Sequence, residues 1–312
     1  VWKTIFNRTS FLSSYQYDTK IRQEYREKLL DETGYEDVAF FSDGSMAVEA
    51  ALRVMDKHYT YGTTFKLPGT FHGKTKRIKD LEEIKTTKGW IELGRGDNYI
   101  IEGYRGHDAH FWSKEMISDL RKAQKAVSII CFDEIQSGFG RTGKMFAYEH
   151  YGIVPDLLVI GKAAGNGFPL SALLTKDKSL FKDVDLSCTH GGNPMAMAAG
   201  LAVLEEFENK QILTHLVNGS RTYTLQTKLR AMWPEFVYAP KGQRKVNGRG
   251  MIAALRCKNK AEADEIYKLA FKRGLLVVHT GKNTIKIGPP LTISLPELLD
   301  GLTILEGVLH DL

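Results

Sequence analysis

The 312-residue chain is short of cysteine, of long apolar runs and of charge of one sign. Its three cysteines, Cys131, Cys188 and Cys257, lie far apart and form no C-x-x-C pair. That usage excludes a disulfide framework and suits a reducing cytosol; Cys131, inside an apolar run, reads as an inert core thiol. No apolar run approaches the roughly 18 residues of a membrane span, and no signal-peptide pattern opens the chain. A cytoplasmic protein with no membrane partner is expected. Internal repeats and low-complexity segments are absent. A net charge of +6 suits an anionic partner, although solubility alone accounts for it. The basic stretches KTKRIK and KGQRKVNGR are short and read as solvated loops. Nucleic acid stays open as a partner, with no recognisable motif to support it.

What is present is an ordinary globular composition, 43% hydrophobic and 26% charged, in a chain long enough for one large and one small domain. Residues 15–33 read as a helix stopping near Gly34. DVAFFS follows as a strand and GSMAVEAALRVMDKH as a helix with Ala47, Ala50, Ala51 and Val54 inward. Further short runs (TTFKLP, NYIIEG, AVSIICFDE, DLLVIGK and SALLT) read as strands. SKEMISDLRKAQKA and PMAMAAGLAVLEEFEN read as helices. Strands alternating with helices imply an α/β fold with a mostly parallel sheet covered on both faces. After a helical stretch at 210–232 the pattern becomes α+β, with LLVVHT and TIKIGP as strands and LPELLDGLTILEGVLHDL as the last helix.

Two of these runs end on chemistry. AVSIICF delivers Asp133 to a strand end, and DLLVIG delivers Lys162 in the same way, each with glycines after it. An imine-forming lysine needs an amine that its surroundings can keep partly neutral. A buried acid can hold a ring nitrogen protonated, and pyridoxal phosphate (PLP) demands that pair. Taken singly, a strand-end aspartate is an ordinary turn cap and a lone lysine an ordinary solvated charge.

The surrounding wording adds a resemblance. DEIQSGFGRTGKMFAYEHYGIVPDLLVIGKAAGNGFPLSALL resembles the core of the class III aminotransferases, within the fold-type I PLP-dependent enzymes. FFSDGSMAVEAALR, TFHGKT, THGGNPMAMAAGLAVLE and GLLVVHTGKNTIKIGPPLTIS follow the family's order from about residue 38 to the C-terminus. The resemblance implies a partial N-terminal segment at 1–30, a large PLP-binding domain at 31–210 and a small C-terminal domain at 211–312. Val1 in place of methionine and a short interval before NYIIEG suggest a fragment or a trimmed chain.

By this resemblance Lys162 carries the cofactor and then moves the proton, as general acid–base chemistry requires. Asp133 serves the pyridine nitrogen and Gln136 the phenolic oxygen. Gly44 and Ser45 form the phosphate-binding turn, with Asp43 capping and pointing away from the phosphate. Phe71 stacks on the ring beside His72, and Thr189 reaches the phosphate of a neighbouring subunit, which implies a homodimer. Two departures concern the substrate. Lys286 stands where many members have a carboxylate-gripping arginine, and lysine lacks the bidentate fork. EGYRGHDAH keeps an acid at Glu102 but puts His107 at the family's switch glutamate, with Arg105 nearby. His107 and His110 form an H-x-x-H with too few further ligands for a metal, so no metal site is expected.

The implied function is a PLP-dependent aminotransferase passing an amino group from an amine donor to a carbonyl acceptor. An aminomutase or an amino-acid decarboxylase on the same scaffold remains open, as does a non-catalytic homologue. The departures admit a phosphorylated, nucleotide or nucleobase substrate. Arg105, KTKRIK and the 241–249 loop would then supply phosphate contacts.

Overall fold

The computed structural model describes residues 17–58, 62–87, 90–91, 96–126, 128–217, 219–232 and 245–312. They fall into two compact units. The first spans 1–103, 112–139 and 146–210, and the second takes 104–111, 140–145 and 211–312. Two short excursions from the first stretch of chain thus belong to the C-terminal unit.

The first unit opens with helix α1 (Lys20–Thr33), strand β1 (Asp37–Phe41) and helix α2 (Gly44–His58). The helix expected from residue 15 begins only at Lys20, because Thr19 caps it by accepting from the Arg22 amide. Strands β2 (Thr64–Lys66), β3 (Glu82–Glu83) and β4 (Asn98–Glu102) precede helix α3 (Lys114–Lys125). Strands β5 (Ile130–Asp133), β6 (Leu157–Ile160) and β7 (Ser171–Thr175) lead to helix α4 (Pro194–Asn209). The seven strands form one sheet in the order β1-β7-β6-β5-β4-β2-β3. Its pairings are parallel from β6 through β3, and only β7 runs against its two neighbours.

Burial explains that arrangement. Every residue of β4, β5, β6 and β7 is buried, as a sheet covered on both faces requires. On α2, Ala47, Ala50, Ala51 and Val54 are fully buried and pack with Ile100, Cys131, Leu157 and Val159 of the sheet. The small alanines let helix and sheet approach closely, and each larger aliphatic contributes about 1.5–3 kcal/mol. Cys131 is fully buried, which pushes its thiol well above the ordinary range and accords with an inert core role.

The C-terminal unit contains helices α5 (Ile212–Val217) and α6 (Ser220–Met232), strands β8 (Lys245–Arg249) and β9 (Ile252–Arg256), and helix α7 (Lys260–Lys272). Strands β10 (Val278–His279) and β11 (Thr284–Ile287) and helix α8 (Leu295–His310) complete it. The helical stretch expected at 210–232 is therefore two helices. A side chain at Gly219 would fall 1.9 Å from the His215 carbonyl, so the chain turns where only glycine fits. The strands form an antiparallel sheet, β8-β9-β11-β10. Residues 245–249, expected as loop, pair instead with β9. The strand expected over LLVVHT is confined to two residues. Tyr104, Ala109 and Phe111 of the first excursion pack on Ile252 and Ala254. Arg141 of the second donates to the Met251 and Pro289 carbonyls at 2.9 and 2.7 Å.

Candidate active site

The C-terminal ends of β4, β5 and β6 present Glu102, Asp133 and, two residues beyond its strand, Lys162. Glu102 and Asp133 are register partners, which places two acids side by side at one edge of the sheet. Crevices at the carboxyl ends of parallel strands are where open α/β sheets bind ligands. A cavity of about 330 Å³ lies here, lined by both acids, Lys162, Gln136, Phe71 and His72 among others. Gly44 and Ser45, at the start of α2, also line it.

Asp133 is almost completely buried. Its Oδ1 accepts from the Ile135 amide at 3.1 Å and its Oδ2 faces His72 Nδ1 at 2.8 Å. Glu102, equally buried, accepts from the Phe71 amide at 3.2 Å and so helps to fix the aromatic wall. Phe71 is 58% exposed, unlike the many phenylalanines of the core, and its ring is available to a ligand. Lys162 is exposed at the cavity and has a φ of 45°, in the left-handed region that non-glycine residues seldom adopt. Such backbone strain clusters at functional sites.

The start of α2 is built for an anion. Asp43 Oδ1 accepts from the Met46 amide at 3.1 Å, so its carboxylate is spent as a cap, the role expected from the sequence. Fifteen residues of helix direct their positive end at the cavity. Ser45 Oγ accepts from the Lys74 amide at 3.3 Å. That approach depends on Gly73, whose φ is 147° and whose added Cβ would lie 2.8 Å from Ser45 Oγ. Lys74 lines the same cavity; the sequence named it only within KTKRIK, as one of several basic residues open to phosphate. Its place one residue after F-H-G was the available signal.

Glu134, next to Asp133, is fully buried, and burial pushes its carboxyl up to about 7. It accepts from Ser137 Oγ and from the Tyr148 amide, at 2.8 Å for the latter. This tethers the turn that carries Gln136 to the segment at 147–148.

The remaining expected residues are not among those lining this cavity. Arg105, His107 and Lys286 belong to the C-terminal unit. Arg105 grips Asp108 with two prongs, Nε–Oδ1 at 2.9 Å and Nη2–Oδ2 at 2.5 Å. Burial would raise the Asp108 carboxyl, but the Arg105 hydrogen bond and charge outweigh it and hold it low. This engagement argues against Arg105 as a dedicated phosphate contact. His107 Nε2 lies 4.0 Å from the same carboxylate. Lys286 Nζ donates to the Gly106 carbonyl at 2.8 Å. Thr189 is exposed and does not line the cavity of its own chain. Among the described residues no cluster of three metal-ligating side chains occurs. No described helix is long and apolar enough to cross a membrane.

A mostly parallel sheet flanked by helices, with a smaller antiparallel α+β unit after it, is the architecture of the fold-type I PLP-dependent transferases. An S-selective transaminase from Arthrobacter sp. shares it with a TM-score of 0.84 at 20% identity, over 99% of this chain and 84% of that one. The sequence narrows the class. The family model for Aminotransferase class-III matches residues 100–309. An acetylornithine aminotransferase from Caldanaerobacter subterraneus subsp. tengcongensis is 29% identical over 91% of this chain and 79% of its own length. One from Gloeobacter violaceus is 38% identical over 70% of this chain and 51% of its own length. This chain belongs to the class-III aminotransferase family and is a PLP-dependent aminotransferase.

Proposed function

We propose that the cavity at the ends of β4, β5 and β6 holds PLP, with Lys162 as its covalent anchor and Asp133 facing the ring nitrogen. The single observation that carries this assignment is the convergence, in one unit, of an exposed lysine amine, a buried carboxylate and a helix start. These donors fit the group. Ser45 and the amides opening α2 suit its phosphate, Phe71 its ring face, and Gln136 its phenolic oxygen. When bound, PLP supplies an electron sink for the pair released at the substrate carbon.

The chain's own groups do the rest. With PLP held by Lys162, Asp133, Ser45 and Phe71, the Lys162 amine would be the group that takes the proton from the substrate carbon and later gives it back. Asp133, itself almost completely buried, would keep a positive ring nitrogen paired. Phe71 orients the ring, and Glu102 orients Phe71 by holding its amide.

Several relatives are named acetylornithine aminotransferase, and one from Sulfolobus acidocaldarius is named [LysW]-aminoadipate semialdehyde/glutamate semialdehyde transaminase. For this chain we infer a donor with a primary amine on an aliphatic chain that also bears a carboxylate, and a carbonyl acceptor. Lys286, which stands where many members have a carboxylate-gripping arginine, is the candidate single-point cation for that carboxylate. The exposed Thr189 serves the cavity of a second copy, giving a homodimer with shared sites. Three buried cysteines, far apart in the sequence, suit a cytosolic location.

Purified protein with added PLP should show a visible absorbance band that borohydride abolishes and that Lys162→Ala lacks. Candidate amines should then convert the bound cofactor to pyridoxamine phosphate. A colourless wild-type protein sinks the assignment. Carbon dioxide release or substrate isomerisation without pyridoxamine phosphate would instead favour a decarboxylase or a mutase.

A further inference from the structure

At the end of β4 the chain leaves the first unit after Gly103 and re-enters it at Trp112, so residues 104–111 hang from a two-stranded root. Tyr151 closes that root. Its hydroxyl donates to the Gly103 carbonyl at 2.6 Å and accepts from the Trp112 amide at 3.3 Å. One oxygen thus ties the departing strand to the returning one, using the donor and the acceptor that a phenol offers. The buried Trp112 adds a third bond, from Nε1 to the Glu102 carbonyl at 2.7 Å.

The root also touches the neighbouring strand. The Gly103 amide donates to the Asp133 carbonyl at 3.4 Å. A side chain at Gly103 would collide with Ser137 Oγ and Ala147 Cβ, so this close approach needs glycine. The Tyr151 ring packs 6.2 Å from that of Phe132, one residue before Asp133. Both strands whose acids reach the cavity therefore meet at this brace.

Glu102 carries the brace forward. Trp112 holds its backbone carbonyl, and its carboxylate accepts from the Phe71 amide at 3.2 Å. Tyr151 itself does not line the cavity. We propose that Tyr151 is a positioning residue: by closing the root of the 104–111 loop, its hydroxyl fixes the end of β4 and, through Glu102, the Phe71 wall. Losing one hydrogen bond of this kind shifts a local opening equilibrium several-fold, which is readable without unfolding the protein. The consequence for bound PLP rests on assigning Phe71 to the ring face. The brace itself does not.

Tyr35 supplies the control. Its hydroxyl donates to the Pro155 carbonyl at 3.0 Å, and neither residue lines the cavity. Hydrogen exchange on the full chain without PLP, followed at the Phe71 and Trp112 amides, tests the brace. Both amides should exchange several-fold faster in Tyr151→Phe than in wild type, and at the wild-type rate in Tyr35→Phe. Trp112→Phe, which removes only the bond to the Glu102 carbonyl, should also speed exchange at Phe71. Unchanged exchange at Phe71 in Tyr151→Phe, or an equal increase in Tyr35→Phe, overturns the proposal. If Tyr151→Phe does not fold, Trp112→Phe decides, and an unmoved Phe71 amide there refutes the path through Glu102. With PLP added, Tyr151→Phe should alter the visible circular dichroism of the bound cofactor, which reads ring orientation, while Tyr35→Phe matches wild type. Wild-type dichroism in Tyr151→Phe overturns the consequence for the cofactor. If no protein binds PLP at all, the site assignment fails while the exchange result stands.

Discussion

Replacing Glu134 by glutamine should flatten the dependence of stability on pH. In the folded protein this carboxyl titrates at about 7, against an ordinary value of 4.5, because burial penalises its charged form. Between those values the folded state binds a proton that the unfolded state has lost. Stability therefore falls as pH rises through that window, the reverse of a salt-bridged carboxylate. The difference of about 2.5 units corresponds to about 3 kcal/mol between the two ends. Glutamine is neutral throughout and can still accept from Ser137 or the Tyr148 amide. Urea unfolding of both proteins at about pH 5 and about pH 8 isolates the effect, since other titrating groups cancel in the comparison. The wild type should lose up to about 3 kcal/mol more than the variant on going to the higher pH. Parallel pH profiles for the two proteins would refute a buried, proton-holding Glu134.

Two further changes probe the cavity and the substrate side. Gly73→Ala forces a Cβ to within 2.8 Å of Ser45 Oγ at a φ of 147°. It should cost about 1–3 kcal/mol of stability and loosen PLP, read by denaturant midpoint and absorbance titration. Lys286→Arg restores a two-pronged cation, and it should lower KM for carboxylate-bearing substrates several-fold with little change in kcat. Equal KM values for the two proteins would detach Lys286 from substrate recognition.

Much of the sheet was legible because its strands are short apolar runs bounded by polar turns. The runs ending at Asp133 and Lys162 form β5 and β6, and the alanine face of α2 packs inward as its spacing required. Boundaries were less legible where a single cap decides them, as Thr19 does for α1 and Gly219 for the break between α5 and α6. The strand at 245–249 was hidden because KVNGR is polar, and only its pairing with β9 makes it a strand.

The sequence by itself determined the family and singled out Lys162 and Asp133, because a lysine and an acid at two strand ends stand in specific surrounding motifs. Tertiary structure decided how those groups are poised. Burial raises Glu134, a property of packing that its neighbours in the chain do not encode. Folding brings His72 against Asp133, although 61 positions separate the histidine from the acid. It also assigns 104–111 and 140–145 to the C-terminal unit, with Arg105 engaged by Asp108 and Lys286 by a backbone carbonyl. Residue type names the chemistry available to a chain. Distance and burial decide which proton each group holds.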